Sequence, residues 1–271
     1  MNKKKLLIYI FIISCILFII IIYKNINYDE LLSLLHPTNQ LPLLENYNII
    51  PNILCQIYIF YTNPIPQYIF DALNQYASNY KYILFNDKNA IQFLERYFDH
   101  RVVQCFHNLK LGAHKADLLR YCFLYVYGGI YIDIKTILIK PLDEIFINKT
   151  AFYTCISIKD SISNGIIASK PRNYIFLKLI NNIININPDY PESDGLVFCN
   201  FLNDTILNDL LSCRKKYGLN IGRTQNYYLF CEQCHNILSS NCSKLDRYGY
   251  CCSILDKEKK IFIGRDPNFP W

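Results

Sequence analysis

The chain has 271 residues, a formal net charge of +6 and 52% hydrophobic residues, an apolar content that excludes a disordered polypeptide. Lys3, Lys4 and Lys5 stand ahead of a long apolar run, and the remainder balances 25 basic against 22 acidic groups, which excludes the electrostatic footprint of a nucleic-acid binder. The 248 residues after that run suit one large α/β domain or two small ones, with ample length for a buried core.

The run itself, Leu6 to Tyr23, has a single polar residue, Ser14. It is long enough to cross most of a bilayer, where a span needs about 20 residues at about 1.5 Å each. A cleaved signal peptide would have an apolar region of about 7 to 15 residues and small residues at a cleavage site. Tyr23-Lys24-Asn25-Ile26-Asn27 offers no such site, so the sequence predicts an uncleaved signal anchor with residues 1–5 in the cytoplasm. The expected organisation is a cytoplasmic tail at 1–5, an anchor at 6–23, a stem at 24–49 interrupted by Pro37 and Pro42, and a domain over 50–271. That organisation predicts a single-pass type II membrane protein facing an ER- or Golgi-type lumen. Sequons at Asn148, Asn203 and Asn241 are candidate glycosylation sites in that compartment.

Within the domain, Ile53 to Phe60 is a β-rich apolar run bounded by Pro51 and by Asn63-Pro64-Ile65-Pro66, and it predicts a buried first strand. A helix is expected over 67–78, a second strand over 82–85 and a second helix over 90–98. Strand and helix in alternation predict a parallel sheet covered on both faces. From Lys115 to Tyr127 a helix places Ala116, Leu119, Phe123 and Val126 on one apolar face, with Asp117 and Arg120 on another. Gly128-Gly129 stops it. The strand that follows, Ile130 to Lys135, sends its isoleucines to one side and Tyr131, Asp133 and Lys135 to the other. A carboxylate and an ammonium at a strand end occupy the place where α/β sheets bind ligands. The same residues could equally form a surface i,i+3 pair and solvated strand-end charges.

Eleven cysteines lie outside the apolar run, and Cys213, Cys231, Cys234, Cys242, Cys251 and Cys252 crowd into forty residues. In a lumen they predict disulfides. The alternative is a zinc site built from Cys231-x-x-Cys234, Cys242 and Cys251 or Cys252.

The order Lys115-Ala116-Asp117-Leu118-Leu119-Arg120-Tyr121, Tyr127-Gly128-Gly129-Ile130-Tyr131-Ile132-Asp133-Ile134-Lys135 and Lys140-Pro141-Leu142 resembles the sugar-binding region of glycosyltransferase family 32. Ile50-Pro51-Asn52-Ile53-Leu54-Cys55-Gln56-Ile57-Tyr58 resembles the family's opening strand, with Tyr58 where relatives carry Trp, and Asn164 to Ser169 with Pro171 resembles its next strand and turn. The resemblance implies a GT-A fold, a Rossmann-like nucleotide-sugar-binding domain, behind the transmembrane helix. It also implies retaining transfer of a hexose from a UDP-sugar or GDP-mannose to a glycan, lipid or protein acceptor. By matched position, Asp117 and Arg120 would hold the donor sugar, Asp133 would contact ribose and sugar, and Tyr58 would stack on the base. Tyr131 and the C-terminal Trp271 would complete the donor site.

One departure changes the chemistry. The second acid of the family's Asp-x-Asp motif, a ligand for Mn²⁺ or Mg²⁺, is Lys135 here, and an ammonium repels a cation that wants hard oxygen ligands. Either Lys135 replaces the metal and, with Asp133, forms the catalytic pair, or Asp133 holds the metal with help from residues 266–271. A third possibility is a catalytically inactive protein that keeps the fold and binds nucleotide sugars or glycans.

Overall fold

In the computed structural model the first half of the domain alternates strand and helix. Its elements are β1 (Ile53–Ile57), α1 (Gln67–Tyr76), β2 (Lys81–Phe85), α2 (Asp87–Tyr97), α3 (His100–Asn108), α4 (Gly112–Tyr127) and β3 (Gly129–Ile132). After it come β4 (Ile137–Leu138), α5 (Leu142–Ile145), β5 (Phe152–Ile156), β6 (Ile162–Ser169), α6 (Ile175–Ile184) and α7 (Val197–Asp209). The strands β7 (Gly218–Ile221), β8 (Asn226–His235), β9 (Cys251–Asp256) and β10 (Lys259–Arg265) complete the chain. The structure describes residues 30–36, 41–43, 46–60, 62–157, 159–186, 197–212, 215–235, 251–257 and 259–265.

One sheet runs in the order β2-β1-β3-β6-β5-β8-β9-β10-β4, with β7 on β8. Strands β2, β1 and β3 are parallel, but β6 is antiparallel to both β3 and β5, so the expected parallel sheet is a mixed one. The cause is the connection: the few residues between β5 and β6 close a hairpin, whereas parallel neighbours need a long crossover. Both faces are covered, as expected. One core lies under α2, α3, α4, α6 and α7, and the other under α1 and α5 with β4 and β10. Alternate residues of each strand divide between them. Cys55, Tyr131 and Phe152 enter the first core, and Leu54, Ile130 and Tyr153 the second.

Local chemistry sets the element ends. Helix α2 starts at Asp87, earlier than its apolar spacing predicts, because Asn86 and Asn89 each accept a hydrogen bond from the other's backbone N–H. Helix α4 is buried on nearly all sides, from His114 through Val126 apart from half-buried Ala116, so it is a core helix rather than an amphipathic surface one. It stops at Gly128-Gly129 as expected. Gly129 has φ +90, and a Cβ there would stand 2.5 Å from the Ile53 carbonyl oxygen, so only glycine lets β3 run beside β1.

Residues 30–36, inside the expected stem, pack onto the domain. Leu31 and Leu34 are buried, and Asp99 N–H donates to the Leu34 carbonyl at 2.8 Å. The expectation of a single-pass type II membrane protein with a lumenal domain is corrected: among the described residues no helix is long and apolar enough to cross a membrane. The longest, α4, has sixteen residues, about 24 Å at 1.5 Å each, and carries Asp117 and Arg120 in its interior. The 6–23 run on which the expectation rested lies outside the described residues.

Candidate functional site

Strand β3 ends one residue before Asp133. The Asp133 N–H donates to the Gly165 carbonyl at 2.8 Å, and its own carbonyl accepts from Thr136 N–H at 2.8 Å, so the expected strand over 130–135 gives way to a turn after Ile132. Asp133 therefore sits at the carboxyl edge of the sheet, beside the carboxyl end of the parallel strand β1. Gln56, fully buried on β1, braces this point: its amide lies 3.5 Å from the Asp133 carbonyl and its Oε1 accepts from Tyr82 at 3.0 Å.

The side chain is held from behind. Asp133 Oδ1 accepts from the Tyr131 hydroxyl at 2.7 Å and faces Arg120 Nη1 at 3.3 Å. Arg120 stacks on the Tyr131 ring at 4.4 Å and pairs with Asp117 at 2.9 Å. Its remaining donors meet the Ala116 carbonyl and both oxygens of Asn164. Asn164 in turn donates to Asp117 at 2.9 Å and to the Tyr121 hydroxyl at 3.1 Å, and accepts from the Cys199 thiol. In the sequence Asn164 and Gln56 stand only as members of motifs. Their connecting roles come from β6 and β1 flanking β3, which no local pattern shows.

Asp117 is 3% exposed and Arg120 5%, whereas a quarter of the Asp133 and Lys135 side chains reaches solvent. Thus Asp117 and Arg120 form a buried ion pair, not the surface pair that spacing alone allowed. Burial pushes the Asp117 carboxyl up to about 6 against the pull of Arg120. Burial also works against the Arg120 charge, yet Tyr131, Asp117 and Asp133 hold its pKa above the ordinary value. Lys135, in the turn, brings Nζ to 3.9 Å from Asp133 Oδ2. A Cβ at Gly165 would come within 3.1 Å of that same oxygen, so the glycine leaves the carboxylate its space.

This donor set does not fit a divalent cation. One Asp133 oxygen is shared by Tyr131 and Arg120, and the other faces an ammonium. Among the described residues, three side chains of metal-binding type come within 4.8 Å of one another only at Glu232, Cys234 and Cys252, and there the two sulfurs are joined in a disulfide linking β8 to β9. That bond takes two of the thiols a zinc site would need, and Cys231 beside it is a free thiol.

Other expected residues are dispersed. Tyr58 follows β1, half-buried against the second core, with its hydroxyl donating to the Asn63 carbonyl. Asn148 is exposed in a turn where its Oδ1 accepts from Thr150 at 2.8 Å. Asn203 lies on α7 and accepts from Ile162 N–H. Cys251 opens β9. Cys213, Asn241, Cys242 and Trp271 lie outside the described residues.

Residues 66–152 match the family described as the glycosyltransferase sugar-binding region containing DXD motif. The chain is 26% identical over 234 residues to an uncharacterized glycosyltransferase, L373, of Acanthamoeba polyphaga mimivirus, covering 79% of this chain and 91% of that one. It is 30% identical over 143 residues to mannosyl phosphorylinositol ceramide synthase SUR1 of Saccharomyces cerevisiae, half of this chain and 35% of the yeast protein. Over 71 residues it is 41% identical to the initiation-specific alpha-1,6-mannosyltransferase of the same yeast, 26% of this chain and 15% of that one. The matched stretch carries Asp117, Arg120, Tyr131, Asp133 and Lys135 together, so these side chains lie inside the segment that is similar to the DXD-containing sugar-binding region of glycosyltransferases.

Proposed function

We propose that the protein has a GT-A-type donor site and transfers a hexose, with retention, from a nucleotide sugar to a hydroxyl of a glycan, glycolipid or glycoprotein. The observation that carries this reading is the Asp133–Lys135 pair, 3.9 Å apart at the carboxyl edge of the sheet. Asp133 offers an acceptor for ribose and sugar hydroxyls. Lys135 offers a fixed positive charge for the diphosphate that leaves with the electrons of the broken glycosidic bond, the place where charge develops in the transition state. Tyr131, Arg120, Asp117 and Asn164 keep the carboxylate oriented without themselves reaching solvent. Retention is carried over from the family resemblance. The two yeast relatives, a mannosyl phosphorylinositol ceramide synthase and an alpha-1,6-mannosyltransferase, make mannose the first hexose to test, with GDP-mannose beside UDP-sugars.

In this reading the ammonium takes the place of the divalent cation. Transfer, or slow donor hydrolysis without acceptor, is expected to persist in EDTA, and Lys135→Asp is expected to lose at least tenfold in turnover and to regain activity only with Mn²⁺. Wild-type activity abolished by EDTA and restored by Mn²⁺ would sink the metal-free reading. Absence of donor cleavage under all conditions would leave a nucleotide-sugar-binding protein.

A further inference from the structure

At the end of the sheet opposite Asp133, helices α6 and α7 and the turn between β7 and β8 line a cleft of about 300 Å³. The strand register fixes its place. Ser169, the last residue of β6, lies opposite Gly129, the first of β3, and the chain runs on from there to Tyr174 and Ile175 in the cleft wall. Tyr227, also in the wall, is paired at the start of β8 with Phe152, the first residue of β5. Asp133 is four residues on from Gly129, about 13 Å at about 3.3 Å each, and the cleft shares no residue with the network that holds it.

The walls are fixed, while several of their polar groups are left unused. Leu31, Ile175 and Tyr227 are the buried part of the lining. Asp209, at the end of α7, ties down the β7–β8 turn: its carboxylate accepts from Thr224 N–H at 3.1 Å and from the Thr224 and Tyr227 hydroxyls at 2.9 Å each. At the exposed rim, the side-chain amides of Asn182 and Asn208 meet no protein partner among the described residues. Asn181 Oδ1 accepts from the Asn185 amide at 2.9 Å, which leaves the Asn181 NH₂ group for a ligand. The Thr205 hydroxyl donates to the Phe201 carbonyl at 2.7 Å, as Thr224 does to Asp209, so both hydroxyl oxygens remain as acceptors.

This lining selects by chemistry. It carries one cation, Lys178, set 4.6 Å from the Tyr174 ring centroid, and one carboxylate, Asp209, so it offers no net charge to a phosphate or an ammonium. The Asp209 oxygens are already engaged, and no cluster of metal-binding side chains occurs here among the described residues. An apolar ligand would leave the amides and hydroxyls unpaired. What fits is a neutral molecule dense in groups that both donate and accept, as sugar hydroxyls do. A volume of about 300 Å³ is at the lower end for small-molecule sites, which suits a single sugar ring.

We propose that this cleft is a carbohydrate-binding site that takes one neutral pyranose unit of a glycan, separate from the donor site. It stands whether or not the donor is a nucleotide sugar.

The test is saturation-transfer NMR and titration of the full chain with the methyl glycosides of mannose, glucose and galactose, in which C1 is capped as it is in a glycan. At least one is expected to bind to wild type and equally to Asp133→Ala, because the donor site takes no part. Combining Asn182→Ala with Asn208→Ala removes two hydrogen-bonding amides and should weaken that binding at least tenfold. Both side chains are exposed, so the double variant should keep the wild-type melting temperature and unchanged donor hydrolysis. Glycoside binding that survives in the double variant overturns the proposal, and its loss in Asp133→Ala does the same by placing the sugar at the donor site. Failure of all three glycosides to bind wild type also overturns it, and binding of free hexoses alone overturns the glycan assignment.

Discussion

Asp117 couples the site to pH. The folded chain holds a proton on its buried carboxyl up to about 6, whereas the unfolded chain releases it near 3.8. Between those values the folded state binds more protons, so stability falls as pH rises from 4 to 6 and levels off above. A shift of this size corresponds to about 2 to 3 kcal/mol. Asp117→Asn retains an acceptor for Arg120 but cannot titrate. Urea denaturation at pH 4 and pH 6 should therefore show a drop in wild type that the variant lacks. Asp133 presents a different case, because its side chain is one-quarter exposed and fills no core. Asp133→Ala should lower turnover at least tenfold, about 1.4 kcal/mol, with little change in melting temperature. Wild-type rates in that variant would remove Asp133 from the proposed catalytic site.

Among the elements, the α4–Gly128-Gly129–β3 unit was legible in the sequence because everything that defines it is local: a helix pattern, two glycines at the stop and an alternating strand. Its tight approach to β1 makes a stability prediction. Gly129→Ala forces a Cβ against the Ile53 carbonyl in a left-handed conformation, and should cost about 2 to 4 kcal/mol in chemical denaturation. Gly165→Ala crowds Asp133 Oδ2 instead and should reduce turnover more than stability. Helix α6 shows where reading by pattern stops. Ile175–Ile184 is rich in isoleucine and asparagine, weak helix formers, and burial of six of its ten residues settles its form. Strands β8 to β10 depend on partners distant in the chain, so their pairing has no local signature.

At the scale of the whole molecule, the mixed sheet joins the site half to the cysteine-rich half. Cys234 and Cys252 sit directly opposite each other on β8 and β9, and their disulfide closes a loop of eighteen residues in sequence separation. Loop-closure entropy for such a length corresponds to about 3 kcal/mol. Reduction should lower the melting temperature, and non-reducing peptide mapping should return the Cys234–Cys252 crosslink together with an alkylated Cys231. A crosslink from Cys231 to either partner would contradict the β8–β9 register.

The sequence alone pointed to the α/β class, the helix-glycine-strand unit around Asp133, the departure of Lys135 from an Asp-x-Asp pattern and the resemblance to a sugar-binding region, since each depends on residue types at short, fixed spacings. Tertiary structure decided that Asp117 and Arg120 are internal supports, that Asn164 and Gln56 brace Asp133, and that α6, α7 and the β7–β8 turn line a polar cleft. Those facts depend on which strands lie side by side and on which side chains lose contact with water, and such outcomes follow from packing across long stretches of chain rather than from any segment's own pattern.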